Sequence, residues 1–223
     1  MAIEELFLNS LPYFTRLSQG ELVSVKNLMF EKKVERGDLI VIEGETAGAL
    51  YFVFSGAVKT FRTSIDGKEQ VLNIIRPGES FNEVAIFDSG PNLASARAMG
   101  TATLYGILKQ DMPAILDHHP QIALNGIKIL STQMRYFVSL IDDLSFKPVV
   151  ARVAKVLVNY IGNGGVPGQR MTQQDMAAIA GTARELVGRS LKALERNGAI
   201  KFDRHRIVIT DWEALKNIAG ASL

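Results

Sequence analysis

The 223-residue sequence contains no cysteine. That absence removes disulfides, cysteine-ligated iron–sulfur clusters, zinc fingers and thiolate haem ligation in one step. Histidine is almost as scarce: His118, His119 and His205 are the full set, and none lies between Phe30 and Gln110. A cupin-type metal enzyme would need imidazole or thiolate ligands in that region, so the class is excluded. No nucleophile–base arrangement or phosphate-cradling loop is specific enough to indicate catalysis, and the chain is read as a non-enzyme. No stretch approaches the roughly 20 uncharged apolar residues of a membrane span. The N-terminal run MAIEELFLNS carries Glu4 and Glu5 where a secretory signal is basic, which predicts a cytoplasmic protein. Long repeats and low-complexity tracts are also missing.

What is present is an ordinary globular composition, 47% hydrophobic and 22% charged, in a chain long enough for one large domain or two modest ones. The net charge of +2 conceals an asymmetry. From Pro148 to Leu223 there are 11 Lys and Arg against 6 Asp and Glu, a net +5 that leaves −3 for the remainder. The smaller C-terminal part is therefore the candidate for binding a polyanion.

Up to about Met29 the pattern is helical, with Leu6, Leu11, Phe14, Leu17, Leu22, Val25 and Leu28 apolar and Ser18 placed to cap a helix ahead of Glu21. From Phe30 to Gln110 short runs rich in Val, Ile, Phe and Tyr alternate with glycines roughly every 8 to 12 residues, the signature of a small all-β sandwich or barrel. Leu50–Phe54 and Ala57–Phe61 flank Ser55-Gly56, and Asp66-Gly67 is placed as a hairpin turn. After Pro120, the residues Ala123, Ile127, Leu130, Met134, Phe137, Ile141 and Leu144 follow a 4, 3, 4, 3, 4, 3 spacing. Such spacing marks a coiled-coil seam, although a helix packed on the β domain can use the same stripe. Ile122, Leu124, Ile129, Val138 and Leu140 widen its apolar surface. Pro148, suited to the first turn of a new helix, marks a hinge.

Beyond the hinge the pattern predicts a helix over Val149–Ile161, a loop containing Gly162-Asn163-Gly164-Gly165, two short helices and a hairpin. Thr172 is placed to cap the first short helix with Asp175 three residues later, and Thr182 to cap the second with Glu185 completing a capping box. Gly181 supplies the tight turn between them. On the second helix Glu185, Arg189, Lys192 and Arg196 share one polar face, while Leu186, Leu191 and Leu194 point toward a core. Gly188 is unfavourable inside a helix, which predicts close packing there. A lone basic helix is usually just solvated. Paired caps, a turn glycine, a wing over Ala199–Ile209 with Asp203-Arg204-His205 at its tip, and a positive domain together indicate a DNA-reading helix-turn-helix. Arg184 and Arg189 suit guanine and Glu185 suits a cytosine amino group. Thr172, Gln173, Thr182 and Lys192 are the expected backbone contacts.

The run from Met171-Thr172-Gln173-Gln174-Asp175 to Ala183-Arg184-Glu185-Leu186-Val187-Gly188-Arg189 resembles the recognition motif of the CRP/FNR family of transcription regulators. Gly44-Glu45, Val53-Phe54-Ser55-Gly56-Ala57-Val58, Asp66-Gly67-Lys68-Glu69 and Pro77-Gly78-Glu79 resemble that family's β-roll, so the likeness spans nearly the whole chain. It implies an α+β fold: a β-roll of the cyclic-nucleotide-binding type with N-terminal helices (1–117), a dimerisation helix and hinge (118–147) and a winged helix-turn-helix (148–223). It also implies a homodimer on palindromic DNA, with RNA polymerase as partner if the protein activates. Ile127, Leu130, Met134, Phe137, Ile141 and Leu144 would form the dimer seam. Arg184, Glu185 and Arg189 match the base-reading set of the cyclic-AMP type, implying TGTGA-like half-sites, and differ from the Glu, Ser and Arg of the oxygen-sensing branch.

The effector region departs from the cyclic-AMP pattern. By resemblance it comprises Asn82, Glu83, Leu93, Ala94, Ser95, Phe137 and Val138. Glu83 matches, but Leu93-Ala94 replaces the phosphate-binding Arg-Ser, and Arg97 would reach that place only by a register shift. Phe137 and Val138 replace polar adenine contacts. Burying a cyclic phosphate without a guanidinium is costly, so the expected effector is a different small molecule, of aromatic or largely apolar character. Cyclic AMP and haem remain alternatives, the second without a clear ligand in His118, His119 or His205. A cyclic-nucleotide-binding adaptor without DNA binding would explain the β region but not Arg184, Glu185 and Arg189.

Overall fold

The computed structural model describes residues 5–162, 171–203 and 206–220. The chain divides into two compact units, Met1–Arg62 with Leu72–Tyr136, and Thr63–Val71 with Phe137–Leu223. The first begins with α1 (Glu5–Ser10), a 3-10 turn over Pro12–Phe14 and α2 (Gln19–Lys26). Ser18 caps α2 as expected, in a capping box: its hydroxyl accepts from the Glu21 N–H at 3.4 Å, and its own N–H donates to the Glu21 carboxylate at 2.7 Å.

The strands follow as β1 (Met29–Val34), β2 (Leu39–Val41), β3 (Ala49–Ser55), β4 (Val58–Thr63), β5 (Glu69–Ile75) and β6 (Ser80–Phe81). After α3 (Glu83–Phe87) come β7 (Ser95–Ala98) and β8 (Ala102–Leu108). Two four-stranded sheets result, ordered β1-β8-β3-β6 and β2-β7-β4-β5. β3 carries an unbroken apolar run because both its faces are covered. Ala49, Tyr51 and Val53 face the roll interior, with Phe81, Val58, Ala96 and Leu104. Leu50 and Phe52 face the helix side, with Leu8, Tyr13, Ile115 and Ile122.

Ser55-Gly56 proves to be a corner between sheets, since β3 and β4 lie in different ones. Gly56 is required there: its φ is +80°, and a Cβ would stand 2.5 Å from the Thr101 carbonyl oxygen. Asp66-Gly67 does turn a hairpin, β4 and β5 being sheet neighbours. The chain then runs through α4 (Met112–His118) into α5 (Pro120–Phe146). Ile122 is buried and Ile129 packs on the helix-side core as expected, whereas Leu124 and Val138 are exposed. The α5 stripe is too wide for the core of one chain to cover.

The second unit contains α6 (Val149–Gly162), α7 (Gln173–Ala180), α8 (Arg184–Arg196), the antiparallel pair β9 (Ile200–Asp203) and β10 (Arg206–Ile209), and α9 (Trp212–Ala219). Their core gathers Val153, Ala154, Leu157, Met176, Ala177, Leu191, Leu194 and Leu215. Residues 163–165 of the expected glycine-rich loop, with Arg204 and His205 at the wing tip, lie outside the described residues. Among the described residues no helix is long and apolar enough to cross a membrane.

Candidate nucleic-acid interface

Thr172 caps α7 in the expected box: its hydroxyl accepts from the Asp175 N–H at 3.1 Å, and its own N–H donates to the Asp175 carboxylate at 2.9 Å. Gly181 ends the helix in the left-handed region at φ +61°. The second expected cap is not made. The Thr182 N–H is used to close α7, donating to the Ala177 carbonyl at 3.0 Å, so the chain enters α8 one residue later. Ala183 is the cap position, with no side-chain bond, and Glu185 takes no part in a capping box.

That shift leaves the Glu185 carboxylate out of the cap. Arg184, Glu185, Arg189, Lys192 and Arg196 are all exposed, and among the described residues none of their side chains forms an ion pair or hydrogen bond. Val187, Ser190, Leu191 and Leu194 form the buried face. Leu186 is partly exposed instead, because Val187 takes the position facing the core. Gly188 lacks the expected close neighbour: a Cβ there would meet only the Gln173 Oε1, at an ordinary 3.6 Å. Gln173, the first residue of α7, is exposed and flanks the same end of α8. The Glu195 carboxylate accepts from the Phe202 N–H at 3.2 Å, fixing β9 to α8.

In the first unit Asn82 takes the left-handed conformation at φ +74°, and its Nδ2 donates to the Ala49 carbonyl at 3.1 Å. Glu83 is buried, with its Oε1 accepting from the Ser80 hydroxyl at 2.6 Å and from Gln133 Nε2 at 3.0 Å. Ser80 pairs with Phe52 across β6 and β3, whereas Phe81 pairs with Tyr51. Directly paired residues share a face, so Glu83 is engaged on the helix side, and Tyr51 and Phe81 stack inside the roll with centroids 5.2 Å apart. Burial pushes the Glu83 carboxyl above the ordinary carboxylate range, against the opposing pull of the Ser80 and Gln133 hydrogen bonds. Burial also raises the Tyr13 hydroxyl, and the Glu83 charge adds to that effect.

Leu93 is 56% exposed, Ala94 is half-buried, and the Ser95 hydroxyl accepts from the Glu43 N–H at 3.1 Å. Arg97 lies on the outer face of its sheet, over the Phe61 ring at 4.6 Å, opposite the face from which Ala96 and Ala98 enter the interior. Phe137 and Val138 belong to the second unit. His118 Nδ1 lies 2.7 Å from the Ala114 carbonyl, and His119 Nε2 lies 2.9 Å from the Ser24 hydroxyl. Sequence reasoning missed Ser80 and Gln133 as partners of Glu83; a glutamine beside an apolar helix stripe was the available signal.

The cyclic nucleotide-binding domain model matches residues 31–119, and the Crp-like helix-turn-helix domain model matches residues 151–218. The chain is 31% identical to a cyclic AMP receptor protein of Thermus thermophilus over 208 residues, covering 93% of this chain and 96% of the relative. It belongs to the CRP/FNR family. A CRP-like cAMP-activated global transcriptional regulator of Mycobacterium tuberculosis is 29% identical over 187 residues, 81% of this chain and 84% of the relative. In fold, the chain is similar to a CRP/FNR-family regulator of Eubacterium rectale, with a TM-score of 0.79 at 21% identity over 96% of this chain and all of the other. The protein is thus a transcription regulator of this family with a helix-turn-helix DNA-binding domain, not an enzyme. Its cyclic-nucleotide-binding-type domain implies a small-molecule effector.

Proposed function

We propose that this regulator binds two-fold TGTGA-like DNA as a homodimer, reading bases through Arg184, Glu185 and Arg189. The observation that carries the proposal is the exposed polar face of α8, where Arg184, Glu185, Arg189, Lys192 and Arg196 form no side-chain ion pair or hydrogen bond among the described residues. Thr172, Gln173, Thr182 and Lys192 supply backbone contacts around it. Each good side-chain–base pair contributes about 1 to 3 kcal/mol of discrimination. Residues 1–117 sense the effector, 118–147 dimerise and 148–223 bind DNA, in the cytoplasm, with RNA polymerase as a further partner if the protein activates. Ile127, Leu130, Met134, Phe137, Ile141 and Leu144 form the seam, and pairing sets two recognition helices roughly 34 Å apart, one helical turn of DNA.

The effector is a small molecule other than cyclic AMP, received in the first unit by the region of Asn82, Glu83, Leu93, Ala94 and Ser95. The name of the Thermus thermophilus relative favours cyclic AMP as the competing reading. Against it stand the exposed Leu93 where the cyclic-AMP type has its phosphate-binding arginine, the engagement of Glu83 by Ser80 and Gln133, and the position of Arg97 over Phe61. Haem would need an axial ligand, and both described histidines are in contact with other protein atoms.

Fluorescence anisotropy with a two-fold TGTGA duplex and a scrambled duplex tests this proposal, with and without micromolar cyclic AMP. Tighter binding to the first duplex, unaffected by the nucleotide, is expected. Equal binding to both duplexes refutes the readout, and strengthening by cyclic AMP refutes the effector assignment. A Soret band in the purified protein would establish haem instead.

A further inference from the structure

The last two turns of α5 are tied to the DNA-binding helices by a cluster of charges that the readout does not use. Asp143 is buried near the end of α5. One of its carboxylate oxygens accepts from Lys147 Nζ at 2.9 Å, one helical turn onward, and the other from Lys155 on α6. Lys147 Nζ also donates to the carbonyl of Ala219, the last residue of α9, at 3.1 Å. Arg152 on α6 donates to the Leu144 carbonyl at 3.1 Å, satisfying an acceptor near the C-terminus of α5. Burial alone would raise the Asp143 carboxyl, but the Lys155 and Lys147 ammonium groups hold it below the ordinary range.

All of these residues belong to one compact unit. α6 and α9 also supply the core on which α8 rests, through Val153, Leu157, Leu215 and Ala219. Only Lys147 and Pro148 separate α5 from α6. Two connecting residues alone leave several rotatable bonds between helices, whereas ties to both α6 and α9 remove the freedom to swivel.

We propose that Asp143 is a positioning residue for DNA recognition: its clasp on Lys147 and Lys155 makes the end of α5 and the DNA-binding helices one body. In a dimer paired through α5, that rigidity fixes the distance between recognition helices and hence the half-site spacing the protein accepts. The inference rests on the dimeric DNA-binding reading above.

The test uses the full-length protein and duplexes in which two TGTGA half-sites are moved apart or together by one and two base pairs. Wild-type protein should bind one spacing best. Asp143→Asn and Lys155→Gln should each lower the preference for that spacing by about tenfold, the order expected for breaking a partly solvated ion pair. Discrimination between TGTGA and a mutated half-site should be unchanged in both variants, because the recognition face is untouched. A general loss of structure would lower both quantities together. If Asp143→Asn does not fold, Lys155→Gln, which leaves the Lys147 arm in place, carries the test. The proposal is overturned if a folded variant keeps the wild-type spacing preference, or if the wild-type protein has none. Failure of the wild type to distinguish TGTGA from its mutated form instead refutes the readout itself.

Discussion

Replacing Ile141 by alanine should weaken the dimer by a calculable amount. In the single chain Ile127, Met134 and Ile141 are 60%, 64% and 61% exposed, though they share one stripe of α5. Burying a whole isoleucine side chain is worth about 1.5 to 3 kcal/mol, so the exposed three-fifths leaves roughly 1 to 2 kcal/mol to be gained on pairing. Alanine keeps only the first carbon, and the change removes about 1 kcal/mol from each copy. A two-fold interface counts the substitution twice, giving about 2 kcal/mol and a dimer Kd raised about 30-fold. Sedimentation equilibrium from nanomolar to micromolar protein measures it, with Thr132→Ala as a control expected to change little. Because the side chain is mainly solvent-exposed in the monomer, the fold should survive. A Kd within threefold of wild type, or a wild-type protein that is monomeric at micromolar concentration, would refute the seam.

Other consequences are local. Because burial raises the Glu83 carboxyl in the folded state, its contribution to stability is present below its ordinary value of 4.5 and is lost as pH rises through the folded value. Urea unfolding between pH 5 and 8 should therefore show a decline that Glu83→Gln flattens; an identical slope in the variant would contradict the burial argument. Gly181→Ala must hold a left-handed φ of +61° with a Cβ 2.5 Å from Leu144 Cδ2 and 2.7 Å from Gln70 Oε1. Both neighbours are flexible side-chain ends, so the expected loss is about 1 to 2 kcal/mol, mainly from the backbone, and thermal unfolding measures it. Gly188→Ala should do the opposite, raising stability by about 1 kcal/mol, since a helical alanine fits there; a lower Tm would reveal a hidden constraint.

The long helix α5, the β region and the helix pair were legible because each rests on periodicity or on a backbone requirement that few residues meet. Ser18 and Thr172 cap their helices as expected because a hydroxyl followed three residues later by a carboxylate is a purely local device. Thr182 showed the same spacing to Glu185, yet its N–H was needed to close the preceding helix, and a neighbour's requirement overrode the local pattern. Leu186 looked like core until Val187 took the inward position. Gly188 is unexplained by any close neighbour in the described protein.

At the effector region the sequence identified a departure but not its geometry. Leu93 and Ala94 announce a missing arginine and serine. That Glu83 meets Ser80 and Gln133 on the helix side depends on strand register and on a partner about fifty residues away, and neither is visible in local spacing. The Asp143 clasp was half legible. The four-residue step to Lys147 is a helical ion-pair spacing, but Lys155 joins only once the chain has turned past Pro148.

Whether the exposed face of α8 reads DNA bases is decided by comparing base discrimination in wild-type protein and Arg189→Ala. Kd is measured at fixed salt for a two-fold TGTGA duplex and for a series with one symmetric base pair changed at a time. Wild-type protein should lose about 1 to 3 kcal/mol for each contacted pair altered. Arg189→Ala should bind more weakly and become indifferent at one position while retaining its preference at the others. A variant that keeps the full wild-type pattern of preferences would contradict the assignment of Arg189 to base readout.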